Sequence, residues 1–294
     1  MVFNLASLST AEKQQWLQHI IAPRPVALVS SIDTEGNVNL SPFSFFNLFS
    51  SNPPIVIFSP ARRVRDNTIK DTLFNVRQHP EVVINMVNEK ICRQTSLASC
   101  EYPRETDEFI KAGFTKQASL IVRPPMVKES PAKLECKVRE IKSLGEEAGA
   151  GQLVIVEVLC MHLDDEVLDT QNSPDPAKLN LIARLGGNWY SAVKEHSLFE
   201  VEKPNKRCGI GLDNLPKHIR ESSVLTGNQL AQLANVDKLP VMDNRFYDNN
   251  IPRILNNKEG NHKEKVHQYV AQLLNRNQTA KAWQVLLAEK DVYG

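Results

Sequence analysis

The residues best suited to chemistry lie between Ile21 and Val76. The run NLSPFSFFNLFSSNPP (39–54) carries hydroxyls, amides and phenylalanines where a plain core strand would carry aliphatic residues. Ser41, Ser44 and Asn47 offer hydrogen-bonding groups, and Phe43, Phe45 and Phe46 offer apolar walls. Such a strand can present backbone amides, carbonyls and small hydroxyls to the edge of a flat ring. Further on, IKDTLFNV (69–76) sets a lysine and two polar residues at the start of an amphipathic helix. A helix N-terminus has unpaired N–H groups and a partial positive charge, so it attracts anions. Arg62, Arg63 and Arg65 lie in the preceding loop and raise the local potential. Together these residues suit a flat, phosphate-bearing ligand.

Each feature by itself has a plainer explanation. Asp71 would cap its helix while the arginines form a solvated patch. Phe43 and Phe45 would share one face of a single strand, with Phe46 opposite, as core packing. A third constellation, RLGGNWY (184–190), pairs glycines that let a backbone approach a partner closely. Arg184 would reach an anion and Tyr190 would stack or donate, or the two glycines simply make a turn.

Familiar alternatives are absent. No GxGxxG follows a strand and opens a helix, and there is no Walker A, HExxH or GxSxG pattern. His262 and His267 are five apart, which is poor helical geometry for two ligands, so no metal site is expected. The five cysteines, Cys92, Cys100, Cys136, Cys160 and Cys208, include no CxxC pair and form neither a disulfide framework nor a zinc knuckle. That pattern fits a reduced, cytoplasmic protein.

The elements that must position these residues follow from pattern. Ser9 and Glu12 sit at capping-box spacing, and Trp16, Leu17, Ile20 and Ile21 share a helical face, so a helix is expected that stops before Pro23. Val26–Ile32 and Val38–Leu40 flank an Asp-Thr-Glu-Gly-Asn turn and read as a hairpin. IVIFS (55–59) is a buried strand. Ile69, Leu73 and Val76 make Asp71–Gln78 an amphipathic helix. Glu81–Val87 is a strand, and 89–112 reads as helical with a break at Pro103. Lys133–Ser143 and LVIVEVLCMHL (153–163) form two long antiparallel strands around a 145–151 loop. Several strands at short separations, with helices inserted between them, indicate an antiparallel barrel rather than a parallel doubly wound sheet.

Composition changes near residue 200. Strand signals fade, and helical segments follow at Thr226–Ala234, His262–Asn275 and Thr279–Lys290. Between the first two, residues 243–263 are rich in Asn and charge and read as a loop or mobile arm. The chain has 294 residues, enough for one large domain or two smaller ones. With 35 basic and 34 acidic residues it has no global field favouring nucleic acid or membrane. No apolar run approaches a bilayer-spanning length. The N-terminal MVFNLASLSTAEKQQW lacks the basic and apolar regions of a signal peptide.

Taken in order, IAPRPVALVSS (21–31), the glycine turn, NLSPFSFFNLFSSNPP (39–54), KDTLFN (70–75), VVIN (82–85) and ARLGG with Tyr190 (183–190) resemble the flavin reductase-like family. The match covers roughly residues 1–200. The resemblance implies a mainly β fold with added helices, a Greek-key antiparallel split β-barrel of the FMN-binding type that forms a homodimer. It assigns residues 1–203 to that domain and leaves 204–294 as a helical C-terminal extension. It further implies FMN against the strand carrying Ser44, Phe45 and Asn47, with Ser31 at the phosphate–ribityl end. Lys70, Asp71, Thr72 and Ser59 would hold the phosphate, and Arg184 lies in the matching RLGG motif. The implied activity is NAD(P)H-dependent reduction of FMN, hydride passing from nicotinamide to flavin N5, with no catalytic side chain required. Reduced flavin would pass to a monooxygenase partner or act in place. The rival readings are a non-catalytic FMN carrier and a flavoenzyme with its own small organic substrate.

Overall fold

Helix α1 (Thr10–Ile20) begins with the capping box that its spacing predicts. The Ser9 hydroxyl accepts from the Glu12 amide, and the Glu12 carboxylate accepts from the Ser9 amide at 2.8 Å. The computed structural model describes residues 1–204, 208–256 and 261–293, and the chain divides into two compact units, Met1–Phe199 and Glu200–Gly294.

The first unit is built on strands β1 (Arg24–Pro25), β2 (Ala27–Ile32), β3 (Val38–Phe43), β4 (Phe46–Ser51) and β5 (Pro54–Phe58), followed by helix α2 (Asp71–Gln78). Next come β6 (Glu81–Met86), the short helices α3 (Cys92–Leu97) and α4 (Glu108–Ala112), and β7 (Lys116–Gln117) with β8 (Met126–Val127). The long pair β9 (Ala132–Ser143) and β10 (Gln152–Leu163) follows, then α5 (Pro176–Leu179), β11 (Ile182–Gly186) and β12 (Trp189–Ala192). Seven strands form one antiparallel sheet in the order β3-β2-β6-β9-β10-β5-β4. A smaller sheet has the order β1-β11-β12.

The two edges of the large sheet, β3 and β4, are consecutive in the chain. Only Ser44 and Phe45 separate them, so the edges approach within about 11 Å at that corner. The sheet must therefore curl into an open barrel. This is the expected antiparallel architecture, with one difference. The 41–50 run is not a single strand. Phe43 and Phe46 both turn into the same core, together with Phe58, Val56, Val154 and Val156. Residues three apart cannot share a face of one strand, because side chains alternate with period two. The strand breaks at Ser44–Phe45 and leaves Phe45 40% exposed.

Leu73 and Val76 of α2 pack into this same core, which fixes the helix N-terminus against the sheet. The hairpin between β2 and β3 turns where predicted. Asp33 Oδ1 accepts from the Glu35 and Asn37 amides at 2.9 Å each, and Gly36 supplies a φ of 91°. The stretch 89–112 is helical with the break expected at Pro103: a 3-10 turn (Glu89–Ile91) and α3 precede the gap, and Asp107 starts α4 after it by accepting from the Phe109 amide.

The second unit packs α6 (Lys217–Arg220), α7 (Gly227–Ala234), α8 (Asn250–Asn256), α9 (His262–Asn275) and α10 (Thr279–Tyr293) around Leu233, Val270, Leu274, Ala282 and Trp283. Helix α8 lies where a loop is expected. Ile251 and Ile254 place an apolar pair at helical spacing on this core, and Asp248 accepts from the Asn250 amide; these outweigh the asparagine content. Residues 257–260 of that segment lie outside the described residues. Among the described residues no helix is long and apolar enough to cross a membrane.

Candidate functional site

A cavity of about 360 Å³ opens at the corner where the sheet edges meet. Its walls come from Ser44 and Phe45 at the strand break, Ser59 after β5, the arginine loop and Lys70 at the start of α2. Gln14 and Gln18 of α1 form a further side.

The corner is closed by backbone bonds. The Ser59 amide donates to the Phe45 carbonyl at 2.8 Å, and the Gln152 amide donates to Ser59 Oγ at 3.1 Å. The arginine loop is zipped to the β9–β10 hairpin tip: the Arg62 amide donates to Ala150 O, and the Gly149 amide donates to Arg62 O. Arg62 is aimed by the loop itself, donating to Asn67 Oδ1 at 2.6 Å and to Asn67 O at 2.7 Å. Arg63 donates to Thr68 Oγ1 and Ile69 O. The Arg62 and Arg63 guanidinium groups are thus held largely by neutral acceptors, whereas Arg65 donates to Asp66 and Glu101. Exposed Glu101 sits 3.4 Å from Arg63 and 2.7 Å from Arg65, while Glu146 is 3.9 Å from Arg62. Among the lining residues one carboxylate faces four cations.

Lys70 is the distinctive member. Its ammonium lies 5.2 Å from the Phe43 ring centroid and forms no hydrogen bond or ion pair with the described residues. Burial, and then the neighbouring Arg63, hold its pKa below the ordinary lysine value. It is also the N-cap of α2, in place of the expected Asp71, and provides no side-chain cap. The Leu73 and Phe74 amides bond to Lys70 O, but among the described residues those of Asp71 and Thr72 have no partner. An uncapped helix start beside an unpaired cation is an anion-binding arrangement.

Of the expected site residues, Ser44, Phe45, Ser59 and Lys70 line the cavity, with Asp71 next along the helix. Ser31 and Thr72 are fully buried and turn inward. Asn75 Nδ2 donates to Ser31 Oγ at 3.2 Å, and Thr72 Oγ1 donates to Asn39 Oδ1 at 2.7 Å. Asn47 is exposed on β4, outside the lining, and its Oδ1 accepts from the Leu48 amide. Arg184 also lies outside the lining. It donates to Tyr190 Oη and Gly187 O and stands opposite Arg24 in the β1–β11 ladder. Buried Arg24 in turn donates to the Gln18 and Ile21 carbonyls at the end of α1.

Sequence reading missed a buried polar layer under the helix. Glu108 accepts from Asn39 Nδ2 at 3.0 Å and from the Leu40 amide at 2.9 Å, joining α4, β3 and Thr72 of α2. Burial raises the Glu108 carboxyl pKa. One signal was available: Thr72 and Asn75 are three apart on the helix face that also buries Leu73 and Val76.

An open antiparallel barrel with a cationic cavity at an uncapped helix start is an arrangement suited to small anionic ligands. The chain belongs to the flavin reductase like domain family, whose model matches residues 20–179. In the solved structures, nitrilotriacetate monooxygenase component B from Bacillus cereus is similar at 28% identity and TM-score 0.64, covering 68% of this chain and 98% of that one. The 2-nitrobenzoate 2-nitroreductase NbaA of Pseudomonas fluorescens is similar at 25% identity and TM-score 0.61, covering 69% and 96%. A Shewanella frigidimarina structure with a split barrel domain is similar at 25% and TM-score 0.59, covering 69% and 99%. The fold is accordingly the split barrel, with helices added at the C-terminal end of the chain.

Proposed function

We propose that the protein is an FMN-binding oxidoreductase that uses NAD(P)H to reduce its flavin. The observation that carries this reading is the cavity holding Arg62, Arg63, Arg65 and Lys70 beside unpaired helix amides, within a flavin reductase-like domain. The residues fit the ligand: an unpaired, half-buried cation lacks only an anion, and the volume falls within the range of small-molecule sites.

Lys70 and the amides of Asp71 and Thr72 would hold the phosphate, with Arg62 and Arg63 adding field and charge-assisted bonds. Ser59 and Ser44 would take the ribityl hydroxyls, and Phe45 would lie along the ring. Ser31 and Thr72 would act from beneath, holding α2 on the sheet through Asn75 and Asn39. FMN, when bound, supplies the two-electron chemistry. The chain's part is to bind it, orient it and leave one ring face open to nicotinamide, which requires no acid or base from the protein. Arg184 would serve an anionic ligand only beyond this cavity.

The exposed Leu48 and Phe49 on edge strand β4, with Phe45 beside them, support a homodimer that covers this edge. Similarity to a monooxygenase component B supports delivery of reduced flavin to a monooxygenase partner. Five free cysteines support a cytoplasmic location. A second reading, a flavoenzyme reducing its own small organic substrate, draws support from the similarity to a nitroreductase.

The test is anaerobic mixing of FMN-loaded protein with NADH and with NADPH. Rapid bleaching of the flavin band, with turnover on added FMN, is expected. Bleaching that turns over only when a nitroaromatic is added selects the second reading. A tightly held flavin that neither nucleotide reduces overturns both.

A further inference from the structure

A second chemical centre lies on the β9–β10 ladder, well away from the cavity. Glu135, Cys160 and His162 bring a carboxylate oxygen, a thiol sulfur and an imidazole nitrogen within 4.8 Å of one another. We propose that these three side chains bind a divalent metal ion of the zinc type.

Strand register shows how they converge. Along β10 the residues Val154, Val156 and Val158 alternate into the barrel core. Continued alternation would send Cys160 and His162 the same way. Instead Val158 pairs with Cys136 and Cys160 pairs with Glu135, so Leu159 is an extra residue in a β-bulge. The bulge turns Cys160 and His162 onto the face that carries Glu135, opposite the core side chains Leu134 and Cys136. Bulges re-aim side chains in this way and recur beside functional sites.

The geometry suits a tetrahedral ion. Bond lengths to zinc put a cysteine sulfur and a histidine nitrogen about 3.5 Å apart. Cys160 Sγ and His162 Nε2 are 3.6 Å apart. The Glu135 Oε1–His162 Nε2 contact of 2.6 Å must widen by less than about 1 Å to admit the ion. A single ring nitrogen faces both the thiol and the carboxylate, as a shared ion requires. Glu135 is oriented from behind by the amides of Leu120, Ile121 and Val122, at 2.9, 2.6 and 3.0 Å. Such outer bonds fix a ligand carboxylate. Lys133, two residues from Glu135 on the same face, is tied to Asp164 at 2.7 Å.

Binding balances simply. The Cys160 thiol gives its proton to solvent, and His162 binds as the tautomer that carries its proton on Nδ1, so the ion meets a thiolate, a carboxylate and a neutral imidazole. Cys160 and His162 are only half-buried, which leaves a fourth position for water. The site lies about 25 Å along β10 from the Gln152–Ser59 contact at the cavity. It is therefore spatially separate from the cavity.

The experiment titrates Co²⁺ into the full-length, chelator-treated protein and then displaces it with Zn²⁺. One equivalent of Co²⁺ should give a thiolate-to-cobalt charge-transfer band with tetrahedral d–d bands. Cys160→Ser should abolish the charge-transfer band. His162→Gln should weaken affinity by at least the roughly 10- to 100-fold that loss of an outer partner costs. Cys100→Ser and Cys208→Ser, at exposed positions, should leave the spectrum intact. A charge-transfer band that survives Cys160→Ser, or no stoichiometric binding, overturns the assignment. Should Cys160→Ser fail to fold by circular dichroism, alkylation of the wild type decides: Zn²⁺ must protect Cys160 and not Cys100, and equal labelling with and without Zn²⁺ overturns the site.

Discussion

Replacing Lys70 with methionine should separate ligand binding from folding. The side chain keeps its unbranched shape, one atom shorter, and loses its charge. In the free protein that charge is half-buried beside Arg63 and forms no ion pair with the described residues, so its burial opposes folding. At neutral pH Lys70→Met should therefore leave apo stability unchanged or raised. The pH dependence has a definite sign. The folded-state pKa lies below the unfolded value, so between the two the unfolded chain binds more protons and stability rises with pH. The advantage of methionine should be fully present below the folded pKa and fade as pH rises toward the ordinary lysine value. Flavin binding should respond oppositely. Loss of one charge-assisted contact to phosphate costs roughly 1.5–3 kcal/mol. That is about 10- to 150-fold in Kd. Titration by FMN fluorescence quenching reads the affinity, and melting with and without FMN reads both effects together. Wild-type affinity should also fall as pH climbs through the lowered Lys70 pKa, a step absent in the variant. Unchanged FMN affinity would refute the assignment of Lys70 to the phosphate, and a clearly less stable apo variant would refute the cost assigned to its burial.

Four further outcomes are expected. Thr72→Val strands Asn39 Oδ1 in a buried layer and should destabilise the first unit by about 1–3 kcal/mol in urea unfolding, with a smaller effect on FMN affinity than Lys70→Met. Gly186→Ala should lower the melting temperature, because φ is 111° there and a Cβ would come within 2.7 Å of the His19 ring; strain of this kind costs about 1–3 kcal/mol. In the helical unit, burial would raise the Asp248 pKa, but hydrogen bonds from Tyr269, Lys281 and the Asn250 amide hold it down to about 2. Its contribution, about 2 kcal/mol, is present above the unfolded carboxyl pKa and lost as pH falls through the folded value, and Asp248→Asn should flatten that acid limb in pH-dependent unfolding. A fragment of residues 1–203 should fold cooperatively and bind FMN; aggregation of that fragment would show that the helical unit completes its surface.

Much of this protein is written in local spacing. Ser9 and Glu12 fixed the start of α1, Asp33–Asn37 fixed the hairpin, and the stripe of Leu73 and Val76 fixed α2, because caps, turns and amphipathic faces depend on residues a few positions apart. The cationic loop and the lysine at a helix start were legible for the same reason. Tertiary structure decided the rest. Only the meeting of Phe43 and Phe46 in one core breaks the strand at Ser44 and opens the cavity. Only the packing of α2 on β2 and β3 turns Thr72 and Ser31 inward to Asn39 and Asn75. Only the register of β10 against β9, with its bulge at Leu159, brings Cys160 and His162 to Glu135. These outcomes depend on which distant strands pair and in what register, and a local pattern carries no information about that choice.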